Sequence, residues 1–392
     1  MKIAYILFGN LNKKDAHVNS CLSFCSSFSK KEELVFFSSH VSKGDIKKIF
    51  RFFLLEKNFK MISWPFIVCD KNFFIEKIGR FFCCFFTFIF LKFNKFDLIH
   101  TNDFSFIYFL SFLPKFLRPK IKIIFESHKI YFKTSKKVSR KQEKRAYKLV
   151  DSFISVSSNC KKDLINFFQI KEENIKVLPS PVNVSYFDSF NIFRRDDVDI
   201  FWNDKNCLKV IYSGSFIDWK GVDVLINSLE NLNKNVKVLI FGGDKSDLDR
   251  FKLEIKRQID GGSLMILEKL DRRNMTNLLL KADIGVLANN FDENNRYTSP
   301  MKIPEYMASG LSIVAPDVLK HSDFFEDNLG VVFFKTCDHL GLAKKINYLE
   351  ENREVMRRLS QENINKKTKF DIEKRVSDLL IFFNKKIKNE KN

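Results

Sequence analysis

Short apolar runs alternate with helix-forming segments along the chain, and this pattern narrows the choice of fold more than any other feature. The runs have the length of buried strands, and most end in glycine or polar residues. Such alternation is typical of α/β domains built on a parallel sheet. We predict two series of strands. The first is residues 2–8, 34–38, 96–100, 121–125, 152–156 and 176–178, and the second is residues 208–213, 236–241, 264–267, 284–288, 311–315 and 330–334.

The two series predict two domains. A chain of 392 residues, 45% of them hydrophobic, is too long for one ordinary core. We assign residues 1–190 to an N-terminal Rossmann-like domain, residues 191–370 to a C-terminal Rossmann-like domain, and residues 371–392 to a final helix with a basic tail. Because open α/β sheets bind ligands beyond the carboxyl ends of their strands, we expect the ligands in a cleft between the domains.

The net charge of +20 indicates acidic partners or surfaces: nucleic acid, anionic lipid or phosphorylated substrates. Between Lys115 and Lys148 there are thirteen lysines and arginines but only two acidic residues. This basic region has few aromatic residues and no recognisable nucleic-acid-binding module, so we expect no nucleic acid partner.

A Phe-rich uncharged segment, residues 81–91, precedes the basic region. It is about half as long as the ~20 residues that a membrane-spanning helix needs. Two interpretations stay open: a buried helix of the first domain, or a helix that also enters a membrane interface. Together with the basic region, the segment leads us to expect peripheral contact with an anionic membrane.

The eight cysteines are scattered, with no Cys-x-x-Cys pair, and Met1 and Lys2 lead directly into a strand rather than a signal peptide. We therefore expect reduced thiols and a cytoplasmic protein, with a peripheral position on the inner face of the cell membrane. The acidic pairs 196–197 and 292–293 are interpreted as surface acids, and no metal site is expected.

Residues 298–315 are predicted to form a loop, a short helix and a buried strand in succession. Pro300 stiffens the loop, and Gly310 suits the left-handed position that ends a helix. Glu305 then lies at the mouth of the sheet, on a helix whose first amide groups can bind an anion. The alternative is that Glu305 is a solvated helix residue.

Residues 214–221 form a second candidate segment. Gly214, at a strand end, lets the backbone approach a phosphate, and Lys220, just before a helix, brings a cation to it. Gly242 and Gly243 end the next strand, which is a weak signal by itself. The alternative is an ordinary strand–turn–helix connection with a surface lysine.

Taken together, Gly214, Lys220, Gly242, Gly243 and Glu305 resemble the donor-binding segments of family-4-type retaining glycosyltransferases. The resemblance covers nearly the whole chain, strongly for residues 208–316 and loosely for residues 1–183. It implies the GT-B fold, an α/β architecture with two doubly wound Rossmann-like domains facing a cleft. It also implies transfer of a sugar from a nucleotide-diphosphate sugar to a glycan or lipid-linked acceptor, with retention of configuration and without a cofactor or metal.

The resemblance also implies roles for single residues. Glu305 would hold the ribose hydroxyls, and Lys220 would neutralise the departing diphosphate. Many relatives carry an arginine where this chain has Ser215 and a second acid where it has Tyr297. The other donor-binding candidates are Gly9, Gly214, Ser215, Gly242, Gly243, Lys269, Leu270, Ser299, Pro300, Met301 and Lys302.

In the first domain, His128 follows a predicted strand and matches the family's histidine in that domain. A histidine there can donate a hydrogen bond to a sugar hydroxyl or to an oxygen that gains charge. The alternative is a satisfied histidine at a strand end. His17, Asn102 and Asp103 are the acceptor-side candidates.

Two other functions stay open from the residues alone. The first is a nucleotide-sugar epimerase of the same architecture, which would act on the donor without an acceptor. The second is a non-catalytic basic protein that binds a membrane or nucleic acid.

Overall fold

The computed structural model describes residues 1–66, 68, 73–135, 137–204, 206–243, 249, 255–325 and 330–388. The chain divides into two compact units. Unit 1 comprises Met1–Pro179 and Ile372–Asn392, and unit 2 comprises Ser180–Asp371.

The sheet of unit 1 has seven parallel strands among the described residues, in the order β3-β2-β1-β4-β5-β6-β7. Strand β1 pairs with β2 on one side and with β4 on the other, so the strand order reverses at β1. The strands are β1 (Lys2–Leu7), β2 (Glu33–Ser38), β3 (Lys60–Ser63), β4 (Leu98–Thr101), β5 (Lys122–Ser127), β6 (Ser152–Ser155) and β7 (Ile175–Val177).

Helices cover this sheet, and several begin at a capping side chain. Asp15, Asp103 and Ser157 each accept a hydrogen bond from a backbone amide of the first helical turn. The helices of unit 1 are α1 (Ala16–Phe28), α2 (Lys43–Phe53), α3 (Phe73–Phe93), α4 (Phe104–Leu110), α5 (Tyr131–Thr134), α6 (Arg140–Tyr147), α7 (Ser158–Phe168) and, at the end of the chain, α17 (Ile372–Lys388).

Helix α17 belongs to the core of unit 1 rather than forming a separate tail. Val376, Leu379 and Phe383 are fully buried in that core. The ring centroid of Phe383 lies 6.2 Å from that of Phe28 on α1. The helix is amphipathic, and its apolar face therefore packs on a sheet far away in sequence.

Unit 2 has six parallel strands among its described residues, in the order β10-β9-β8-β11-β12-β13. The strands are β8 (Leu208–Ser213), β9 (Val236–Gly243), β10 (Leu264–Glu268), β11 (Ile284–Val286), β12 (Ser312–Pro316) and β13 (Val331–Phe334). The helices are α8 (Val184–Asp188), α9 (Asp196–Phe201), α10 (Val222–Ser228), α11 (Lys256–Asp260), α12 (Arg272–Leu279), α13 (Glu293–Tyr297), α14 (Lys302–Ala308), α15 (His339–Glu351) and α16 (Arg353–Lys366).

The border between the units differs from the predicted one. Residues 180–190, placed in the first domain by sequence, lie in unit 2. The reason is that Phe187 is buried in the core of unit 2 and that the Val184 amide donates to Asp371 Oδ1 at 3.1 Å. The two parallel sheets with their helices confirm the predicted α/β class, and the strand order of each is that of a doubly wound fold.

Among the described residues, no helix has both the length and the apolar character needed to cross a membrane. The longest apolar helix is α3, which contains the Phe-rich segment 81–91. That segment is not wholly buried, because Phe81 is 53% exposed and Phe85 38%.

Candidate active site

In unit 2, Gly214, directly after β8, and Gly242, at the end of β9, lie against each other. A Cβ atom on Gly242, whose φ is +115°, would lie 2.7 Å from the carbonyl oxygen of Gly214. A Cβ atom on Gly214 would lie 2.5 Å from Cε and 2.7 Å from Nζ of Lys302. Any larger residue would therefore separate the two loops or displace Lys302, and glycine keeps this backbone open to a ligand.

Lys220 ends a single 3₁₀ turn, Asp218–Lys220, between β8 and α10. Asn290, which follows β11, fixes the turn with two hydrogen bonds. Its side-chain amide donates to Asp218 O at 2.9 Å, and its backbone amide donates to Trp219 O at 3.1 Å. The Lys220 ammonium lies 3.8 Å from the centroid of the Trp219 ring. Although the side chain as a whole is only half-buried, desolvation of its amine lowers the pKa of Lys220 to about 7. An anion bound there would restore the charge.

Lys302 is the first residue of α14, and it is buried. Its amine lies 3.7 Å from the centroid of the Tyr212 ring and has no hydrogen-bond partner within the described part of the chain. Burial lowers the pKa of Lys302 well below its ordinary value, and the charge of Lys220 lowers it further. Lys302, which the sequence placed in the loop, thus directs a second amine at Gly214.

Glu305 lies on the same helix and is 6% exposed. Its Oε1 forms an ion pair with Arg272 at the start of α12. The Arg272 guanidinium also lies 5.1 Å from the centroid of the Phe187 ring. Glu305 is thus a buried, oriented carboxylate, and the alternative of a solvated helix residue is wrong.

The remaining donor-side candidates of unit 2 are spread around these groups. Ser299 Oγ accepts a hydrogen bond from the Ser180 amide at 2.7 Å, which anchors the loop that also carries the buried Pro300 and the half-buried Met301. Ser215 is exposed just after Gly214, and Gly243 packs against the Phe216 ring. Lys269 and Leu270 follow β10.

Tyr297 stands where the resemblance implies a second acid. It is buried, and its hydroxyl donates to Glu293 Oε1 at 3.3 Å. The phenol therefore cannot supply the negative charge of a carboxylate at this place.

In unit 1, a buried carboxylate joins three cationic or potentially cationic groups. Glu126 on β5 accepts a hydrogen bond from Arg375 of α17 at 2.9 Å. Nε2 of His100 and Nε2 of His128 each lie 3.1 Å from a Glu126 oxygen. The contact with His128 has the distance of an ion pair but not the alignment of a hydrogen bond. Burial alone would raise the pKa of Glu126, but Arg375 and the two histidines hold it well below its ordinary value.

His128 follows β5, and its ring is 5.3 Å from that of His17 on α1, edge to face. Burial lowers the pKa of His128 in spite of the neighbouring Glu126. Burial thus favours the neutral imidazole, which can donate one hydrogen bond and accept another. The structure brings these two sequence candidates together in unit 1.

The other candidates of unit 1 have hydrogen-bond partners within that unit. Asp103 caps α4 and accepts a hydrogen bond from the Phe8 amide at 2.9 Å, so its carboxylate is engaged by backbone groups. Asn102 is buried and donates to Cys21 Sγ at 3.2 Å. The carbonyl oxygen of Gly9 accepts from Ser39 at 3.1 Å.

No cluster of three or more potential metal ligands occurs among the described residues. In the acidic pairs, Asp197 is bonded to Arg195 at 2.9 Å and Asp292 caps α13. Asp197 and Asp292 therefore each have a partner within the fold.

Models of two glycosyltransferase families match the chain. Residues 69–186 match Glycosyltransferase Family 4, and residues 195–366 match Glycosyl transferases group 1. The chain belongs to the family-4-type glycosyltransferases. No curated protein sequence matches it.

Several solved structures have the same fold as this glycosyltransferase. A glycosyltransferase from Rickettsia africae has 16% identity and a TM-score of 0.74, with 99% of each chain covered. HepE of Anabaena, solved in complex with UDP-glucose, has 13% identity and a TM-score of 0.70, with 97% of this chain and 99% of HepE covered. WaaG, a glycosyltransferase involved in lipopolysaccharide biosynthesis, has 12% identity and a TM-score of 0.64 over 96% and 99%. These likenesses establish the GT-B fold.

Three functional candidates of the glycosyltransferase were not predicted from sequence. Glu126 gave a weak signal, since it follows the apolar part of β5 two residues before His128. Arg272 directly follows the residue that caps α12, which by itself suggests a surface position. Arg375 is 249 residues away from the carboxylate that it binds, and no local pattern indicates that contact.

Proposed function

We propose that this glycosyltransferase moves a sugar from a nucleoside diphosphate sugar to an acceptor with retention of configuration. The observation that carries the proposal is the contact of Gly214 with Gly242 at the strand ends of unit 2, where the Lys302 amine lies beside Gly214 and the charge of Lys220 acts on that amine. Open backbone and a cation suit a diphosphate. The complex of HepE with UDP-glucose supports a nucleotide sugar as donor.

Each residue then has a proposed role. Lys220 stabilises the charge that grows on the leaving diphosphate, and Glu305, oriented by Arg272, binds the ribose hydroxyls. His128 donates a hydrogen bond to a hydroxyl of the transferred sugar. Charge stabilisation and positioning would thus supply most of the rate enhancement.

Retention is proposed without a covalent intermediate. The buried carboxylates Glu126 and Glu305 are both held in ion pairs, so neither is poised as a nucleophile. The acceptor would instead attack from the face that the diphosphate leaves.

The test has two stages. Nucleotide sugars are first screened for thermal stabilisation, since a ligand at 100 times its Kd stabilises the folded state by about 2.7 kcal/mol. NMR then assigns the anomeric configuration of the product formed with glycan and lipid-linked acceptors. Inversion would refute the retention proposal. Conversion of the donor to its epimer in the absence of acceptor would favour the epimerase.

We also propose that the acceptor is presented at an anionic membrane or by a surface polysaccharide. Helix α3 exposes aromatic side chains at helical spacing, including Phe81, Phe82, Phe85 and Phe86. Near its end, Lys92 donates to Leu117 O at 3.2 Å, next to Phe116, which is 78% exposed. This aromatic face is larger than a scatter of single apolar residues, and faces of this kind mark interaction sites.

The basic region lies beside the aromatic face. The Arg145 guanidinium of α6 is 3.9 Å from the centroid of the Phe112 ring, and Phe112 is itself exposed. Cations next to apolar side chains suit an anionic bilayer, where each lysine or arginine near the surface contributes about 1 kcal/mol. Lys136 of the basic region lies outside the described residues.

Co-sedimentation with vesicles tests this part. We expect binding to strongly anionic vesicles that contain ~30 mol% phosphatidylserine. We expect no binding to neutral vesicles, and release from the anionic vesicles at high salt. A variant with four exposed lysines of the basic region changed to glutamine should not bind: Lys137, Lys141, Lys144 and Lys148. A control with the same change of charge on exposed residues of unit 2 should bind normally: Lys234, Lys344, Arg357 and Arg358. Absence of binding at low salt would end the membrane proposal and leave the donor assignment intact.

A further inference from the structure

The buried amine of Lys302 has no hydrogen-bond partner in the described part of the chain. The residue is 8% exposed. Buried polar groups are nearly always bonded, because an unpaired one costs free energy, so each exception calls for an explanation. Here the amine points to the glycine turn, since a Cβ on Gly214 would lie 2.7 Å from it.

Among the described residues, no unpaired anion faces this amine. Strand β8 contributes the Tyr212 ring beneath the amine, and the turn before α10 contributes Lys220. Its own helix contributes Glu305, whose carboxylate is already paired with Arg272 of α12. Within the part of the chain that the structure describes, the groups that face Lys302 are therefore a neutral ring, a second amine and a neutralised carboxylate.

We propose that Lys302 is a second ligand of the donor's diphosphate, so that its amine and that of Lys220 bind the diphosphate together beside the Gly214 turn. The inference rests on the proposed donor. Ser215, which follows the turn, carries no charge and is exposed. One amine cannot balance a diphosphate, which carries two or more negative charges, whereas two amines match it better.

Binding should then be coupled to proton uptake. Desolvation lowers the pKa of Lys220 to about 7 and that of Lys302 well below its ordinary value. At pH 8 a group with a pKa of 7 is only about one-tenth protonated. A diphosphate between the amines favours their charged forms, so the complex takes up protons from solution. Lys220 alone cannot take up more than one proton, so an uptake above one requires that Lys302 also participates.

The experiment is isothermal titration calorimetry with UDP, GDP and ADP at pH 8, in buffers of different ionisation enthalpy. We compare the wild-type protein with Lys302→Met and with the control Lys237→Met. Lys237 is a half-buried lysine of β9 whose amine donates to Phe201 O at 2.7 Å, away from the proposed ligand. Lys302→Met should raise the Kd of the bound diphosphate at least ~10-fold, or about 1.4 kcal/mol, and lower the proton uptake below one. The control should change neither.

A second readout separates binding from a structural role. Because methionine replaces an unpaired polar group with an apolar one, Lys302→Met without ligand should melt about 2–4 °C higher than wild type. A lysine that merely supports the fold would give a lower melting temperature. If the methionine variant does not fold, Lys302→Gln, of similar length and uncharged, replaces it in the titration.

The outcomes are distinguishable. If the wild type binds a diphosphate and the Lys302 variant binds it with the same Kd and the same proton uptake, this inference is wrong while the donor proposal stands. If none of the three diphosphates binds to the wild type, the inference and the donor proposal both fail.

Discussion

A single change near the end of the chain, Arg375→Met, should lower the free energy of unfolding of unit 1, because Arg375 is bonded to the buried carboxylate of Glu126. Arg375 is 7% exposed and donates to Glu126 as well as to the carbonyl oxygens of Leu178 and Pro179. Removing it leaves a buried carboxylate with only the two histidines. Loss of one partner of a buried ion pair typically costs about 3–5 kcal/mol, so we expect a loss in this range at pH 7.5.

The loss should depend on pH. In the wild type, the pKa of Glu126 is held well below its ordinary value, so its stabilising contribution is present above the unfolded-state pKa and disappears as the pH falls through the folded-state value. In the variant, burial raises that pKa, and the carboxyl group takes up a proton at a higher pH. The difference in unfolding free energy should therefore be larger at pH 7.5 than at pH 5.

Hydrogen exchange of unit 1 peptides at increasing urea concentration measures this free energy separately from that of unit 2. The matched control is Lys374→Met, which removes an exposed cation from the same helix and should change the free energy by less than ~0.5 kcal/mol. Adding Glu126→Gln to Arg375→Met should recover part of the loss. A deficit below ~1 kcal/mol that is the same at both pH values would show that Arg375 does not hold the Glu126 charge.

Three further outcomes concern the donor site. Lys220→Ala should lower kcat/KM at least ~100-fold, about 2.7 kcal/mol, with partial recovery in Lys220→Arg; an alanine variant that keeps more than half of wild-type turnover places the diphosphate elsewhere. Glu305→Gln should weaken donor binding by about 1.5–3 kcal/mol and reduce the preference for ribose over deoxyribose, and calorimetry with unchanged affinity would remove this assignment. Since the pKa of Lys220 is about 7, diphosphate affinity should fall as pH rises from 7 to 9. In Lys220→Arg, that fall should be smaller, because arginine stays charged.

The strands of unit 2 could be predicted because they read as continuous apolar runs, and the central strands β8, β9, β11 and β12 are largely buried. Strand β8 has the predicted bounds, Leu208–Ser213. Strand β3 of unit 1 was not predicted, because Lys60–Ser63 is a short, half-buried edge strand without an apolar run. The attachment of α17 to unit 1 could not be predicted either, since an amphipathic pattern shows that a helix packs but not on which sheet.

For the candidate site, the sequence is informative where a residue is required by the local backbone. Gly214 and Gly242 are needed at turns that close the strands, so their signal is local. The partner of a buried charge, in contrast, comes from wherever the fold places it. Arg272 and Arg375 come from helices remote in sequence from the glutamates that they bind.

The paired glutamates and the two lysines differ in what they can contribute to the transition state. Glu126 and Glu305 have their partners before any ligand is bound, which fixes their orientation. Among the described residues, Lys220 and Lys302 have no paired anion, and desolvation disfavours their charged forms, a cost that an anionic ligand would remove. If the donor is a nucleoside diphosphate sugar, as proposed, its diphosphate gains negative charge as the bond to the sugar breaks, and two such amines would interact more strongly with the transition state than with the bound donor. Only interactions that strengthen in this way raise kcat, and an unpaired lysine pair in a desolvated place is suited to provide them.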